Sequence, residues 1–154
     1  MRDGANVTDT SLKTPSPEAI KLAIDQAKSV LKKLPLLGPI AWLCMNSPQH
    51  RNQFIADLEW RVMPALVLDQ AKLYMRDEAP VGYASWAFLS PEAAERYRAT
   101  GRLAPGDWKS GSEAWLIDLV APFGGGGDAI KDVKEKVLAG RDVRVRGEAG
   151  GKAA

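Results

Sequence analysis

The chain has 154 residues, a formal net charge of +2, one cysteine, one histidine, five tryptophans and 45% hydrophobic content. That length suits a single domain with a core that needs no staples. Cys44 has no cysteine partner, so an internal disulfide is excluded, and one Cys with one His cannot supply a tetrahedral Cys/His zinc site. The 21 basic and 19 acidic residues leave no concentrated positive field of the kind phosphate backbones require, so nucleic acid is not an expected partner.

Residues 1–15 are small and polar, too poor in apolar area to repay their ordering entropy, and are expected to form a disordered lead. They lack the apolar h-region of a signal peptide. No later run approaches the roughly 18 to 20 apolar residues of a membrane span, which makes the cytoplasm the expected compartment. Ser16-Pro17-Glu18 reads as a helix start, with a capping serine, a proline at the first helical position and an acid at the positive end of the dipole. Ile20, Ile24, Ala27, Leu31 and Leu34 step by four and three, so they share one helical face. Pro35 is expected to stop this helix. Leu36 to Asn46 is an apolar segment that fits either a short buried helix or a strand, closed by Ser47-Pro48. Phe54, Leu58, Val62 and Leu66 return to helical spacing, with Pro64 set to kink or cut the helix.

From Ala71 to Arg76 the period falls to two, as in a strand with one face on a core. Asp77 to Pro80 supplies a turn, and Val81 to Phe88 is a second strand, apolar enough to be covered on both faces, so the two form a hairpin. Ser90-Pro91-Glu92 repeats the helix-start chemistry and predicts a short helix from Pro91 to about Thr100. Gly101 to Ser112 reads as a surface loop, Ala114 to Val120 as a buried strand, Asp128 to about Leu138 as a helix, and Asp142 to Arg146 as an edge strand. Residues 147–154 are expected to be a disordered tail. The class is α/β (α+β), one domain over residues 16–146 built around one sheet.

Two residues carry most of the chemical signal. His50 holds the chain's only imidazole, the group able to take and return a proton near neutral pH, although a lone histidine also fits a structural role. On a strand Asp118 shares a face with Leu116 and Val120, and a carboxylate among apolar neighbours must be paired or hydrogen-bonded. It can be met by loop amides, or it can orient and charge an imidazole. Gly124 to Gly127 precedes a helix, where backbone amides favour anions, yet the run lacks the P-loop and GxGxxG patterns and equally suits a flexible connection. Cys44, between Leu43 and Met45, reads as a packed thiol rather than a nucleophile.

Four motifs in order, Ser47-Pro-Gln-His-Arg-Asn52, Pro80-Val-Gly-Tyr-Ala-Ser-Trp-Ala87, Asp107-Trp-Lys-Ser-Gly111 and Trp115-Leu-Ile-Asp-Leu-Val-Ala-Pro-Phe-Gly124, give the chain its character. Together they resemble the bacterial RTX toxin-activating lysine acyltransferases, over roughly Leu36 to Gly124. The resemblance implies a single GNAT-like domain with a mixed, mostly antiparallel sheet flanked by helices and no permanently bound cofactor. It further implies transfer of a fatty acyl chain from the phosphopantetheine of acyl carrier protein to internal lysines of an RTX-type protoxin. The family's essential histidine falls on His50, its essential aspartate on Asp118, and its motif serine on Ser47. Arg51, Asn52, Gly124 and Gly125 are the supporting candidates. The family departs from this chain at both ends, through the predicted helix from Ser16 to Leu34 and the stop soon after Arg146.

The implied chemistry is a general base, His50, acting on the lysine while Asp118 fixes and charges the ring, or alternatively acyl transfer through His50 itself. Amides near the glycine run are candidates for the oxyanion. Trp42, Trp86, Trp108 and Trp115 are expected to wall the His50–Asp118 pair. Arg51, Arg96, Arg98, Arg141, Arg144 and Arg146 are candidates for docking an acidic carrier. An acyl-CoA-dependent enzyme with another acceptor, or a non-catalytic binding module using the helix from Ile20 to Leu34, are the rival readings. The same helix could join a homodimer.

Overall fold

The computed structural model describes residues 14–148. The expected disordered ends therefore lie mostly outside the described residues. The elements are α1 (Pro17–Asn46), α2 (Asp57–Arg61), α3 (Met63–Val67), β1 (Ala71–Arg76), β2 (Ala79–Leu89), α4 (Pro91–Thr100), β3 (Glu113–Val120), α5 (Gly126–Asp132) and β4 (Val143–Val145), with a π turn over Val133–Val137. The sheet order is β1-β2-β3-β4, antiparallel except for the β3/β4 pair. No helix among the described residues is long and apolar enough to cross a membrane.

Helix α1 starts where the sequence predicts, with the Ser16 hydroxyl accepting from the Ala19 amide and Pro17 in the first turn. It does not stop at Pro35. The helix runs on through Pro35 and Pro39 to Asn46, so the apolar segment after Pro35 is its C-terminal half. Each proline removes one intrahelical hydrogen bond. That loss is offset further along, where Ile40, Leu43 and Cys44 are buried against Val62, Leu66, Tyr83 and Val120. Ser47 ends the helix in an extended conformation, as a residue before proline prefers. The N-terminal half behaves differently: Ile20, Ile24, Leu31 and Leu34 are exposed, and Lys33 reaches Asp69.

Pro64 cuts the next helical stretch as expected, since α2 ends at Arg61 and α3 begins with Pro64 in its first turn. The β1–β2 hairpin turns on Asp77 and Glu78, both at positive φ, the backbone that a two-residue hairpin needs to follow strand twist. Helix α4 spans the predicted residues, capped by Ser90 and closed by left-handed Gly101. The segment after it is not wholly a surface loop, because Leu103, Asp107 and Trp108 are buried. Gly111 is required there, since a Cβ would stand 2.6 Å from the Leu89 carbonyl.

Helices cover both faces of the sheet. On one face Tyr83, Ala87 and Leu89 meet α1, α3 and α4; on the other Ala84, Trp86, Ala114 and Leu116 meet Val133 and Leu138. A β-bulge in β3 alters the expected alternation: Ser85 pairs with Asp118 but Trp86 pairs with Leu116, leaving Ile117 extra. Leu116 therefore packs beneath the segment after α5, whereas Val120 packs beneath α1. Asp118 goes with Val120 and not, as the simple period of two predicts, with Leu116. Bulges re-aim side chains in this way, and a shift of one residue exchanges the faces of a sheet.

Candidate functional site

His50 sits in the turn that follows α1, its amide bonded to the Ser47 carbonyl at 3.0 Å. The turn folds the ring back over the serine, and Ser47 Oγ lies 2.8 Å from His50 Nδ1. The other ring nitrogen, Nε2, lies 3.4 Å from Asp118 Oδ1. Both side chains are nearly inaccessible, at 8% and 4% exposure. Residues 68 positions apart in the chain are thus brought face to face by the end of one helix and the bulge of one strand.

Asp118 has a stronger partner that the sequence did not reveal. Arg61, at the end of α2, donates from Nε to Oδ2 and from Nη2 to Oδ1, both at 2.6 Å. Two parallel charge-assisted bonds of this kind are the preferred way for a guanidinium to hold a carboxylate. They push the Arg61 pKa up, the Asp118 bond outweighing the opposing effect of burial. The Asp118 amide also donates to Ser85 Oγ at 3.2 Å. The Nε2 contact is longer than the roughly 2.7–3.2 Å of a hydrogen bond, so in this state Arg61 orients the carboxylate while His50 lies alongside it. No motif or spacing singled out Arg61; its short amphipathic helix resembles any solvated face.

The ring borders an apolar groove of about 460 Å³ between α1 and the Gln53–Leu58 segment, lined by Leu34, Leu37, Gly38, Ala41, Cys44 and Leu58 among others. Cys44 faces it beside His50, but burial, reinforced by the Asp118 charge, pushes its thiol up to about 11. That thiol stays protonated at neutral pH, as its apolar neighbours in the sequence suggest. Tyr83 is buried close by, and burial raises its pKa as well.

Among the supporting candidates, Arg51 lines the groove and Asn52 is exposed on the same turn. Gly124 and Gly125 are not brought to the groove. Both have positive φ and line a separate, more polar cavity of about 580 Å³ with Lys72, Tyr74 and Asp132. The tryptophans do not wall the pair either: Trp42 is exposed, Trp86 lies on the opposite face, and Trp108 and Trp115 pack under α4. Several candidate docking arginines are engaged within the domain, Arg96 with Asp107, Arg144 with Glu113, and Arg146 with the Tyr97 carbonyl.

A mostly antiparallel four-stranded sheet with helices on both faces, bearing an imidazole and a carboxylate beside an apolar groove, defines a small GNAT-like α/β domain. The chain belongs to the RTX toxin acyltransferase family, whose model matches residues 29–154. It is 40% identical to an RTX-II toxin-activating lysine-acyltransferase of Actinobacillus pleuropneumoniae, over 71% of each chain. It is 44% identical to a leukotoxin-activating lysine-acyltransferase of a Pasteurella haemolytica-like species, over 65% of this chain and 61% of that one. Identity to a protein-lysine myristoyltransferase of Escherichia coli is 39%, over 70% of this chain and 64% of that one. The matches thus span about three fifths to seven tenths of these relatives' length.

Proposed function

We propose that this chain is a protein-lysine acyltransferase that moves a fatty acyl group from the thioester of acyl carrier protein to an internal lysine of an RTX-type protoxin, in the cytoplasm. The observation that carries this reading is an imidazole hydrogen-bonded to Ser47 at Nδ1 with the Asp118 carboxylate beside Nε2, bordering a groove apolar enough for an acyl chain. The lysine-acyltransferase and lysine-myristoyltransferase activities for which these relatives are named support the same chemistry.

In this mechanism Ser47 Oγ accepts from Nδ1–H, which fixes the tautomer and leaves Nε2 as the basic nitrogen. The lysine ammonium gives up a proton to Nε2, and the imidazolium so formed faces the Asp118 carboxylate. The free amine attacks the thioester carbonyl. A C–N bond forms and the C–S bond breaks; His50 returns its proton to the departing carrier thiolate and then takes the second proton of the attacking nitrogen, which it passes to water, leaving the amide and a neutral ring. Asp118 stabilises the charged ring and does not itself bond the substrate. Arg51, on the exposed side of the groove, is suited to steer an acidic carrier. A second copy of the chain is the proposed partner of the exposed α1 stripe.

The test supplies acyl carrier protein and acyl-CoA donors side by side with a lysine-bearing acceptor and reads transfer by intact mass. Transfer from the carrier, reduced about 10²- to 10⁴-fold in His50→Ala and Asp118→Asn, is the expected result. Transfer from acyl-CoA alone would replace the donor, and full activity in both variants would overturn the site.

A further inference from the structure

The groove beside His50 contains a position in α1 that carries no side chain, Gly38. Gly38 lies inside α1, between Pro35 and Pro39, where glycine weakens a helix relative to alanine. Its φ is not positive, but Pro39 follows it in the helix, and a Cβ on a helical residue before proline crowds the proline ring. Beyond its chain neighbours and the helix's own backbone, a Cβ built there meets nothing within 4 Å. What the absent side chain leaves is open volume, because Gly38 lines the groove, as does the small Ala41 one turn on.

The groove follows α1 from Leu34 to Met45 and meets His50 past the end of the helix, a run of about 16 Å at helical rise. If a methylene takes roughly the 30 Å³ share of a liquid water, a groove of about 460 Å³ holds a chain on the order of a dozen carbons or more. A lining this apolar offers an aliphatic occupant burial and offers a polar one little to bond.

We propose that the groove is the binding site of the acyl tail and that Gly38 determines how long a chain it admits, the carbonyl end lying at His50 and the tail running towards Leu34. This rests on the acyl-transfer reading above.

Gly38→Leu tests it, with Gly38→Ala as the control that carries the same Cβ beside Pro39, since beyond the chain neighbours and the helix's own backbone the new side chain enters open space. Octanoyl, lauroyl, myristoyl and palmitoyl thioesters of acyl carrier protein are offered in competition to the full chain and to the variant. The expected result is a preference for long chains in the parent and a shift towards octanoyl in Gly38→Leu, of about fourfold for each methylene no longer buried. Gly38→Ala should fall between. A second readout needs no turnover: myristic acid carrying a terminal diazirine should photolabel the segment of α1 around Leu34 and Gly38 in the parent, and lose that label in Gly38→Leu. Labelling of α1 that is lost in the variant, in a chain that transfers no acyl group, supports the binding site and sinks the functional reading instead. An unchanged chain-length preference in Gly38→Leu, or labelling away from α1 in the parent, overturns the proposal.

Discussion

Asp118 illustrates how a single buried charge organises this site. With 4% of its side chain exposed, the carboxylate is stable only while its oxygens are bonded, and Arg61 supplies two of those bonds. Arg61→Gln should therefore destabilise the domain by about 3 kcal/mol, the low end for breaking a buried pair, because the guanidinium keeps some contact with water. Denaturant melts would measure this. Cys44 gives a second check: with its thiol pushed up to about 11, iodoacetamide should label the folded protein far more slowly at pH 8 than the unfolded chain. Labelling should accelerate as pH rises, since the thiolate is the reacting form.

Among the elements, those built from short-range chemistry were legible in advance. Helix α4 carries its own cap and C-terminal glycine, and β1 its own alternation, so local signals sufficed for both. Two features were not legible, because tertiary contacts decide them. The continuation of α1 past Pro35 depends on burial of Ile40 and Leu43, which local propensity does not contain. The bulge at Ile117 is set by register with β2, yet it alone turns Asp118 towards His50. His50 and Asp118 were recognisable from their motifs, whereas Arg61 was not, since nothing in its helix says that its guanidinium meets a strand 57 residues away.

Helix α5 is tied to β1 by Asp132, which accepts from Lys72 at 2.6 Å and from the Tyr74 hydroxyl at 2.7 Å. The Lys72 bond first, and the Tyr74 bond second, hold the Asp132 carboxyl below its ordinary range. A depressed carboxyl contributes stability above its unfolded value of about 4 and loses it as pH falls through the folded value. Asp132→Asn should consequently melt below the parent at pH 7, and the gap should close on acidification below about pH 4. A gap that persists in acid would mean the carboxylate charge is not what ties these elements.

At the scale of the molecule, the domain core and the N-terminal half of α1 are separate problems. The core buries its apolar side chains on both faces of the sheet. Ile20, Ile24, Leu31 and Leu34 instead line one face of a helix and stand 41–62% exposed, which is an unusual concentration for a lone surface. A second copy of the chain covering this stripe would remove it from water, and two such faces meeting would bury each other in equal measure. The full chain should then run as a dimer in light scattering. Ile24→Glu with Leu31→Glu should raise the dissociation constant at least about a hundredfold, since each dimer loses four buried aliphatic side chains. Neither residue belongs to the core clusters of the domain, so the domain's melting should survive the change, apart from any part due to dimerisation. A parent that is monomeric, or a dimer indifferent to both substitutions, would mean that this face does not join two copies.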